Sequence, residues 1–258
     1  MDKKRVHYAK ALKKMNVKHH SKLEDEGNYT GCIICGKPII YEEQATERMC
    51  VICHKNFASN AACIDGHFVC DLCHGSGVDS LVSLLLNSGE KSPSRLLQQV
   101  FNLPEIHMHG PEHHRIVPGV LLTAFYNNGG NIDLGKSLSE AMKRGKQVPG
   151  GTCGFWGVCG SAVGVGIYAS IVTGSNPLNG EVWHLPQQLS SRCLSKIAEV
   201  GGPRCCKRTS LIAIEESIRF TKEKLGISMP EERTKCTFSS KNKECLKEDC
   251  PYYSGVPH

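Results

Sequence analysis

Apolar residues recur at helical spacing along most of the chain between residues 77 and 228. In the segment LPQQLSSRCLSKIAEVGG, for example, Leu189, Cys193 and Ile197 lie four residues apart and share one face of a helix. Few segments alternate apolar and polar residues, so we expect strands only in the cysteine-rich segment before residue 77. The pattern predicts a mainly α fold. In this prediction, a helical domain rich in Cys and His follows a small zinc-ribbon or cross-brace (treble-clef-like) module.

One uncharged stretch, WGVCGSAVGVGIYASIVTG, is long enough to cross a bilayer. It is rich in Gly, Ser and Thr, and no basic or aromatic anchor directly follows it. We therefore expect a buried central helix and no membrane span. The basic N-terminus is not followed by the apolar region of a signal peptide, so the sequence predicts a cytoplasmic protein.

Composition divides the chain into four predicted regions: a basic tail (1–27), a zinc-binding module (28–76), a helical Cys/His domain (77–228) and a cysteine-containing C-terminal tail (229–258). The net charge is +6, but residues 1–22 hold eight Lys and Arg against one Asp, so the rest of the chain is close to neutral. A zinc-module nucleic-acid binder would need a basic surface beyond this tail. Nucleic acid is therefore disfavoured as a partner.

Fifteen cysteines in a chain expected to be intracellular indicate metal binding or catalysis rather than disulfides. Eight soft ligands crowd the second region: Cys32, Cys35, Cys50, Cys53, Cys63, His67, Cys70 and Cys73. A closed zinc site takes four ligands, so the number fits two zinc ions.

Two ways of pairing these ligands stay open. A cross-brace would join Cys32, Cys35, Cys63 and His67 on one ion and the other four residues on the second. A ribbon would instead join the first two Cys-x-x-Cys pairs on one ion. Two of the pairs are followed by His, which also matches the attachment pattern of c-type haem, and iron–sulfur is a further alternative. Haem attachment normally requires export, so zinc is favoured.

The run HMHGPEHH brings four histidines and Glu112 into eight residues. In an extended segment His107 and His109 point the same way and can share a metal ion, while Glu112 and His113 can approach from the following helix. Alternatively, Glu112 is a first-turn acid that suits the helix dipole, and the histidines are ordinary surface or core groups. We predict acid–base or metal-binding roles for His107, His109 and His113.

Four cysteines lie in two glycine-containing runs, GGTCGFWGVCG and GGPRCCKR. Cys205 and Cys206 stand at a predicted helix N-terminus beside basic residues, which is expected to lower the pKa of both thiols. If Cys153 and Cys159 converge with them, the four thiolates can hold an iron–sulfur cluster or zinc, or act as catalytic redox thiols. Alternatively, the adjacent pair is simply two small buried apolar residues.

Three more cysteines, Cys236, Cys245 and Cys250, stand near the C-terminus, and the last is followed by proline. A Cys-Pro pair occurs in ferredoxin-type clusters, although the spacing here differs from theirs. We predict that these residues bind a cofactor, with a fourth ligand that the sequence does not identify. Free thiols are the alternative.

The motifs GHFVCDLCH, HMHGPEHH, GGTCGFWGVCGSAVGVGI, GGPRCCKR and CPYY together resemble an uncharacterised domain-of-unknown-function family of cysteine-rich proteins. That family is found in anaerobic bacteria and archaea, often beside or fused to radical SAM or methyltransferase domains. The resemblance covers nearly the whole chain and implies an anaerobic, metal-rich setting without an established reaction. CGSAVG is also similar to the CGAxxG core of small redox proteins, with Ser161 in place of the usual alanine.

These observations predict a cytoplasmic metal-binding protein of anaerobic metabolism that holds two zinc ions and an iron–sulfur cluster. Its reaction would be thiol or cluster redox chemistry, or sulfur transfer, on a small molecule. The alternative is a non-catalytic adaptor that docks a radical SAM enzyme or methyltransferase through the zinc module.

Overall fold

The computed structural model describes residues 31–74 and 78–255. Its N-terminal part contains a β-hairpin. Strand β1 (Ile39–Met49) pairs antiparallel with β2 (Asn56–Cys63), with Ile39 opposite Cys63 and an irregularity between Tyr41 and Thr46. These are the only strands in the described ranges, as the sequence predicts. The predicted basic tail lies outside the described residues.

Helices form most of the remaining structure, which confirms the mainly α fold. Within the described residues they are α1 (Asp71–His74), α2 (Val78–Asn87), α3 (Pro93–Phe101), α4 (His113–Asn127), α5 (Leu134–Gly145), α6 (Thr152–Phe155), α7 (Gly160–Thr173), α8 (His184–Val200) and α9 (Cys206–Leu225). Two short 3-10 helices, Ser239–Lys241 and Lys247–Asp249, follow in the C-terminal segment.

Local chemistry explains where several helices begin and end. The hydroxyl of Ser92 accepts a hydrogen bond from the backbone N–H of Arg95, and Pro93 takes the first helical position of α3. Asp133 caps α5 in the same way. Gly226 follows α9 with a φ of 69°, the left-handed conformation that glycine adopts without strain.

The core is built around α4 and α7. Helix α4 packs against α2, α3, α5, α7 and α9, and α7 packs against α4, α5, α8 and α9. A helix that is apolar on all sides belongs inside a bundle, and α7 is the buried central helix that the sequence predicts. No helix within the described ranges is both long enough and apolar enough to span a membrane.

Helices α4 and α5 approach closely because α5 ends in glycine. A Cβ added at Gly145 would lie 2.7 Å from the backbone oxygen of His114 and 3.2 Å from the Cα of Arg115. Both neighbours are backbone atoms of a core helix, so they cannot move aside cheaply.

We predict that Gly145→Ala lowers the free energy of unfolding by about 1–3 kcal/mol, the usual cost of overpacking. Gly135→Ala in the same helix is the matched control, since its new Cβ would meet only a side-chain oxygen at 3.7 Å. That control should be neutral or should stabilise the protein by up to about 1 kcal/mol. Urea unfolding measures both variants, and equal effects would contradict the close packing of α4 against α5.

Candidate functional site

The first group of metal-ligand side chains lies at the open end of the hairpin. Cys32 and Cys35 precede β1, Cys63 ends β2, and His67 follows it. The sulfur of Cys35 lies 3.4 Å from that of Cys63 and 3.3 Å from Nδ1 of His67. We call this group the first quartet.

The second quartet lies at the other end of the hairpin. Cys50 and Cys53 occupy the hairpin loop, and Cys70 and Cys73 approach from the start of α1. The sulfurs of Cys53 and Cys70 are 3.8 Å apart. Within each quartet all four ligand atoms lie within 4.8 Å of one another, and ligands about 3.8 Å apart match a tetrahedron with metal–sulfur bonds of about 2.3 Å. Each quartet could therefore hold a metal ion, in the cross-brace arrangement and not the ribbon.

The backbone turns explain why the third Cys-x-x-Cys pair differs from the first two. Gly36 (φ 71°) and His54 (φ 56°) follow the first two pairs in left-handed conformations that close each turn. After the third pair the chain continues as α1, in which the N–H of His74 donates to the carbonyl of Cys70 at 2.8 Å. The helix therefore carries His74 away from the second quartet and towards the helical domain.

His74, His107 and Glu112 form a third group of possible metal ligands, with ligand atoms within 4.8 Å of one another. Nδ1 of His107 lies 3.3 Å from Oε1 of Glu112, and Nδ1 of His74 lies 3.3 Å from Oε2. The Oε2 and the His74 Nδ1 are buried, and neither has a hydrogen-bond partner of ordinary geometry in the described residues. Two facing, unsatisfied ligand atoms are what a metal site presents.

The carboxylate of Glu112 stays charged although it is only 2% exposed. Burial by itself would raise its pKa, but the contact with His107 and the nearby imidazoles of His74 and His113 outweigh burial and hold the pKa well below its usual range. Gly110 leaves the space that this carboxylate occupies, because a Cβ there would overlap both carboxylate oxygens. The chain is thus shaped to keep an anion inside the protein.

The other histidines of HMHGPEHH lie elsewhere. Nε2 of His109 lies 3.3 Å from Oδ1 of Asn242 and 3.0 Å from Oε2 of Glu244, and does not join His107 in one group. Residues 104–105 and 108–110 form turns and bends, rather than the extended strand on which the expectation of a metal ion shared by these two histidines depends. Nδ1 of His113 lies 3.2 Å from the carbonyl of Gly110.

A cavity of about 590 Å³ lies between the cysteine-rich module and the helical domain. It is lined from the module by Tyr41 and His74, and from the helical domain by Trp156 and Arg204. Most of the predicted catalytic residues also line it: His107, His109, His113, Cys153, Cys159 and Cys206. Three separate sequence motifs therefore meet in one space.

Cys205 is the exception among the predicted catalytic residues. It lines a second, small cavity together with Met108, Cys236, Cys245 and Cys250. The two adjacent cysteines thus line different cavities: Cys206 lines the large one and Cys205 lines the small one.

The expectation that helix position lowers the pKa of Cys205 and Cys206 is wrong. Burial raises the pKa of Cys206 to about 12, and it raises that of Cys205 to about 11. The N–H of Arg208 donates to the sulfur of Cys205 at 3.5 Å, which favours the thiolate but does not offset the lost hydration. Without a metal ion or a partner, both side chains are thiols at neutral pH.

The sequence interpretation missed the role of His74. It considered this residue only as part of a haem-like Cys-x-x-Cys-His pattern. Its one sequence signal is its place directly after Cys73, a predicted metal ligand. Its approach to Glu112 depends on how the module packs on the helical domain, which spacing does not reveal.

Comparison with known proteins adds a family. Residues 81–253 match the sequence model described as "Family of unknown function (DUF5714)". Searches of curated proteins and of solved structures find no match. The matched residues include Glu112 and His107 but not the two quartets or His74.

The cross-brace predicts different metal losses in two double variants. Cys35→Ser/Cys63→Ser removes two ligands of one quartet, so about one bound metal ion per chain should be lost. Cys35→Ser/Cys53→Ser damages both quartets and should lose about two. Metal content per chain, measured by mass spectrometry after gel filtration, separates the cases. The opposite order would indicate ribbon pairing and contradict the structure.

Proposed function

This chain belongs to the DUF5714 family of unknown function, and we propose that it is a metalloenzyme that acts on a small molecule in the large cavity. The reaction centre is a metal ion held by His74, His107 and Glu112, beside the thiols of Cys153, Cys159 and Cys206. The single observation that carries this proposal is that His74 and His107 line one cavity together with the three thiols, while the buried Glu112 completes the three-ligand group behind them.

The size and lining of the cavity suit a small molecule. A volume of about 590 Å³ lies within the range of small-molecule sites, roughly 300–1,000 Å³. Aromatic side chains of Tyr41 and Trp156 form part of the wall, and Arg204 places its guanidinium 5.2 Å from the ring centroid of Tyr41. Arg204 and Lys146 supply positive charge, which favours an anionic substrate.

Two histidines and one carboxylate leave coordination positions open. Closed structural sites use four protein ligands, whereas catalytic zinc sites use three and keep a position for water or substrate. Two His and one carboxylate also form the facial triad of non-haem iron(II) enzymes. The metal would polarise a bound substrate group or activate water, and the buried charge of Glu112 would offset part of the metal's charge.

The three thiols point to thiol redox chemistry or sulfur transfer as the reaction class. Burial raises the pKa of the Cys153 and Cys206 thiols, and Cys159 lies close enough to both to act in the same direction. Cys153 is exposed to solvent, Cys206 is half-buried and Cys159 is buried, so one thiol can exchange with partners while another lies inside the protein. Positive charge from Arg204 acts on both and favours their thiolates.

The two quartets have a structural role in this proposal, and zinc is the metal we assign to them. Four Cys or Cys/His ligands at tetrahedral spacing fill every coordination position, so no substrate can bind there. The ions would fix both ends of the hairpin, and the second quartet would also anchor α1. Because α1 carries His74, structural zinc positions one ligand of the reaction centre.

A non-catalytic adaptor is the second candidate. Each Cys-x-x-Cys pair exposes one large aliphatic side chain, Ile34, Ile52 or Leu72, at 46–49% of its surface. Exposed apolar groups of this kind favour protein docking. A radical SAM enzyme or a methyltransferase would be the partner, working in an anaerobic cytoplasm.

We predict that His107→Ala and Glu112→Gln each remove one divalent ion per chain while the metal in the quartets remains. Loss of a direct ligand should weaken cobalt(II) binding at this site by more than the roughly 10–100-fold that an outer-shell change costs. Cobalt(II) titration, followed by absorption, measures it. His184→Ala is the matched control, since this histidine is exposed at the start of α8.

Azide gives the second measurement. In the wild type it should change the cobalt spectrum of the three-ligand site, because open positions accept it, and should leave the thiolate bands of the quartets unchanged. A wild-type protein that binds ions only in the quartets would overturn the metalloenzyme proposal. If such a protein also lost partner binding when Ile34, Ile52 and Leu72 were made polar, the adaptor function would replace it.

A further inference from the structure

Four cysteines from two distant parts of the chain surround the small cavity. Cys205 is the N-cap residue of α9, and Cys236, Cys245 and Cys250 come from the C-terminal segment. The segment folds back on itself because the N–H of Cys236 donates to the carbonyl of Tyr252 at 2.7 Å. Cys205 therefore lies where a fourth ligand, which the sequence does not identify for the three C-terminal cysteines, would be needed.

The spacing of these sulfurs differs from that in the quartets. No three of the four meet the 4.8 Å limit that all ligand atoms of each quartet satisfy. The cavity between them has a volume of about 10 Å³, close to the space that one water molecule needs. A single zinc ion at about 2.3 Å from each sulfur would leave no such space. The wider arrangement of the four sulfurs suits a cofactor with several metal atoms, in which each thiolate binds a different metal atom.

The backbone around these cysteines resembles that of the quartets. In the first quartet the N–H two residues after Cys32 and after Cys63 donates to the cysteine sulfur at 3.4 Å. The same bond forms at Cys236, from Phe238 at 3.3 Å, and at Cys245, from Lys247 at 3.4 Å. Such bonds stabilise negative charge on sulfur, as metal thiolates require.

A buried cation lies beside the four cysteines. Lys207 is 1% exposed, and its ammonium group has no hydrogen-bond partner in the described residues. The ammonium nitrogen lies 4.2 Å from the ring centroid of Phe101 and 4.8 Å from that of Phe238, which lines the cavity. An unpaired buried charge is costly, so this environment requires a nearby anion. The carboxylate of Glu112 acts on this ammonium group most strongly, and the side chains of Cys206, Cys205 and Cys236 act on it as well.

We propose that Cys205, Cys236, Cys245 and Cys250 bind a [4Fe–4S] cluster in this small cavity. Four thiolates with a cubane core carry net negative charge, which Lys207 and the neighbouring Arg208 balance. Asn242 adds a further donor, with Nδ2 3.6 Å from the sulfur of Cys205. This site is separate from the reaction centre of the proposed function and stands or falls independently of it.

The position of the cluster connects the two cavities. Cys205 would bind the cluster, and the next residue, Cys206, faces the large cavity. Asn242 also contacts His109 of the large cavity, with Oδ1 3.3 Å from its Nε2. The cluster ligands are therefore in direct covalent and hydrogen-bonded contact with the walls of the large cavity.

Iron and sulfide content tests the proposal. The full-length protein, purified anaerobically and reconstituted with iron(II) and sulfide, should contain about four iron and four sulfide per chain. It should show broad sulfur-to-iron absorption and, after reduction with dithionite, an electron paramagnetic resonance signal. Cys205→Ser and Cys245→Ser should each lose at least half of the iron and change the signal, with zinc unchanged. Cys206→Ser and Cys153→Ser are the matched controls and should keep the full iron content.

Two results would overturn the proposal. The first is a reconstituted wild-type protein that binds zinc but no iron with sulfide. The second is loss of the cluster in Cys206→Ser and Cys153→Ser but not in Cys245→Ser, which would place it in the large cavity. The wild-type measurement decides the first point even if Cys205→Ser fails to fold. Cys245→Ser, a change at a partly exposed residue, decides the second.

Discussion

The carboxylate of Glu112 is buried, and it remains charged only because imidazoles surround it. One of them, His74, comes from the cysteine-rich module, and another, His107, comes from the loop before α4. Removing either partner would leave a buried charge uncompensated, which is among the costliest changes a protein can undergo. This requirement holds the module against the helical domain, and the large cavity is lined by residues of both parts.

One such point is the N–H of Gly150, which donates to Asp71 at 2.7 Å. Asp71 and His74 both belong to α1, so a helix of one turn makes both contacts. A metal ion in the second quartet would in turn hold the start of α1. Metal binding in the module would therefore be connected to the position of His74 and to the shape of the cavity.

Much of the fold could be predicted from the sequence, because the spacing of apolar residues and the residues that begin or end helices are local signals. The uncharged run that forms α7 and the glycine that ends α9 needed no tertiary information. The eight quartet ligands were evident from spacing, but their pairing was not, since it depends on the antiparallel register that brings Cys63 to Cys35. The same limit applies to Cys205, which meets Cys250 across 45 residues, and to the pKa of Cys206, which burial decides.

The most direct test of the account is anomalous diffraction from anaerobically grown crystals, with data at the zinc and iron absorption edges. We expect a metal peak coordinated by His74, His107 and Glu112 and facing the large cavity, in addition to peaks in both quartets. Occupied quartets with no peak at Glu112, and its carboxylate hydrogen-bonded to both histidines instead, would contradict the central claim.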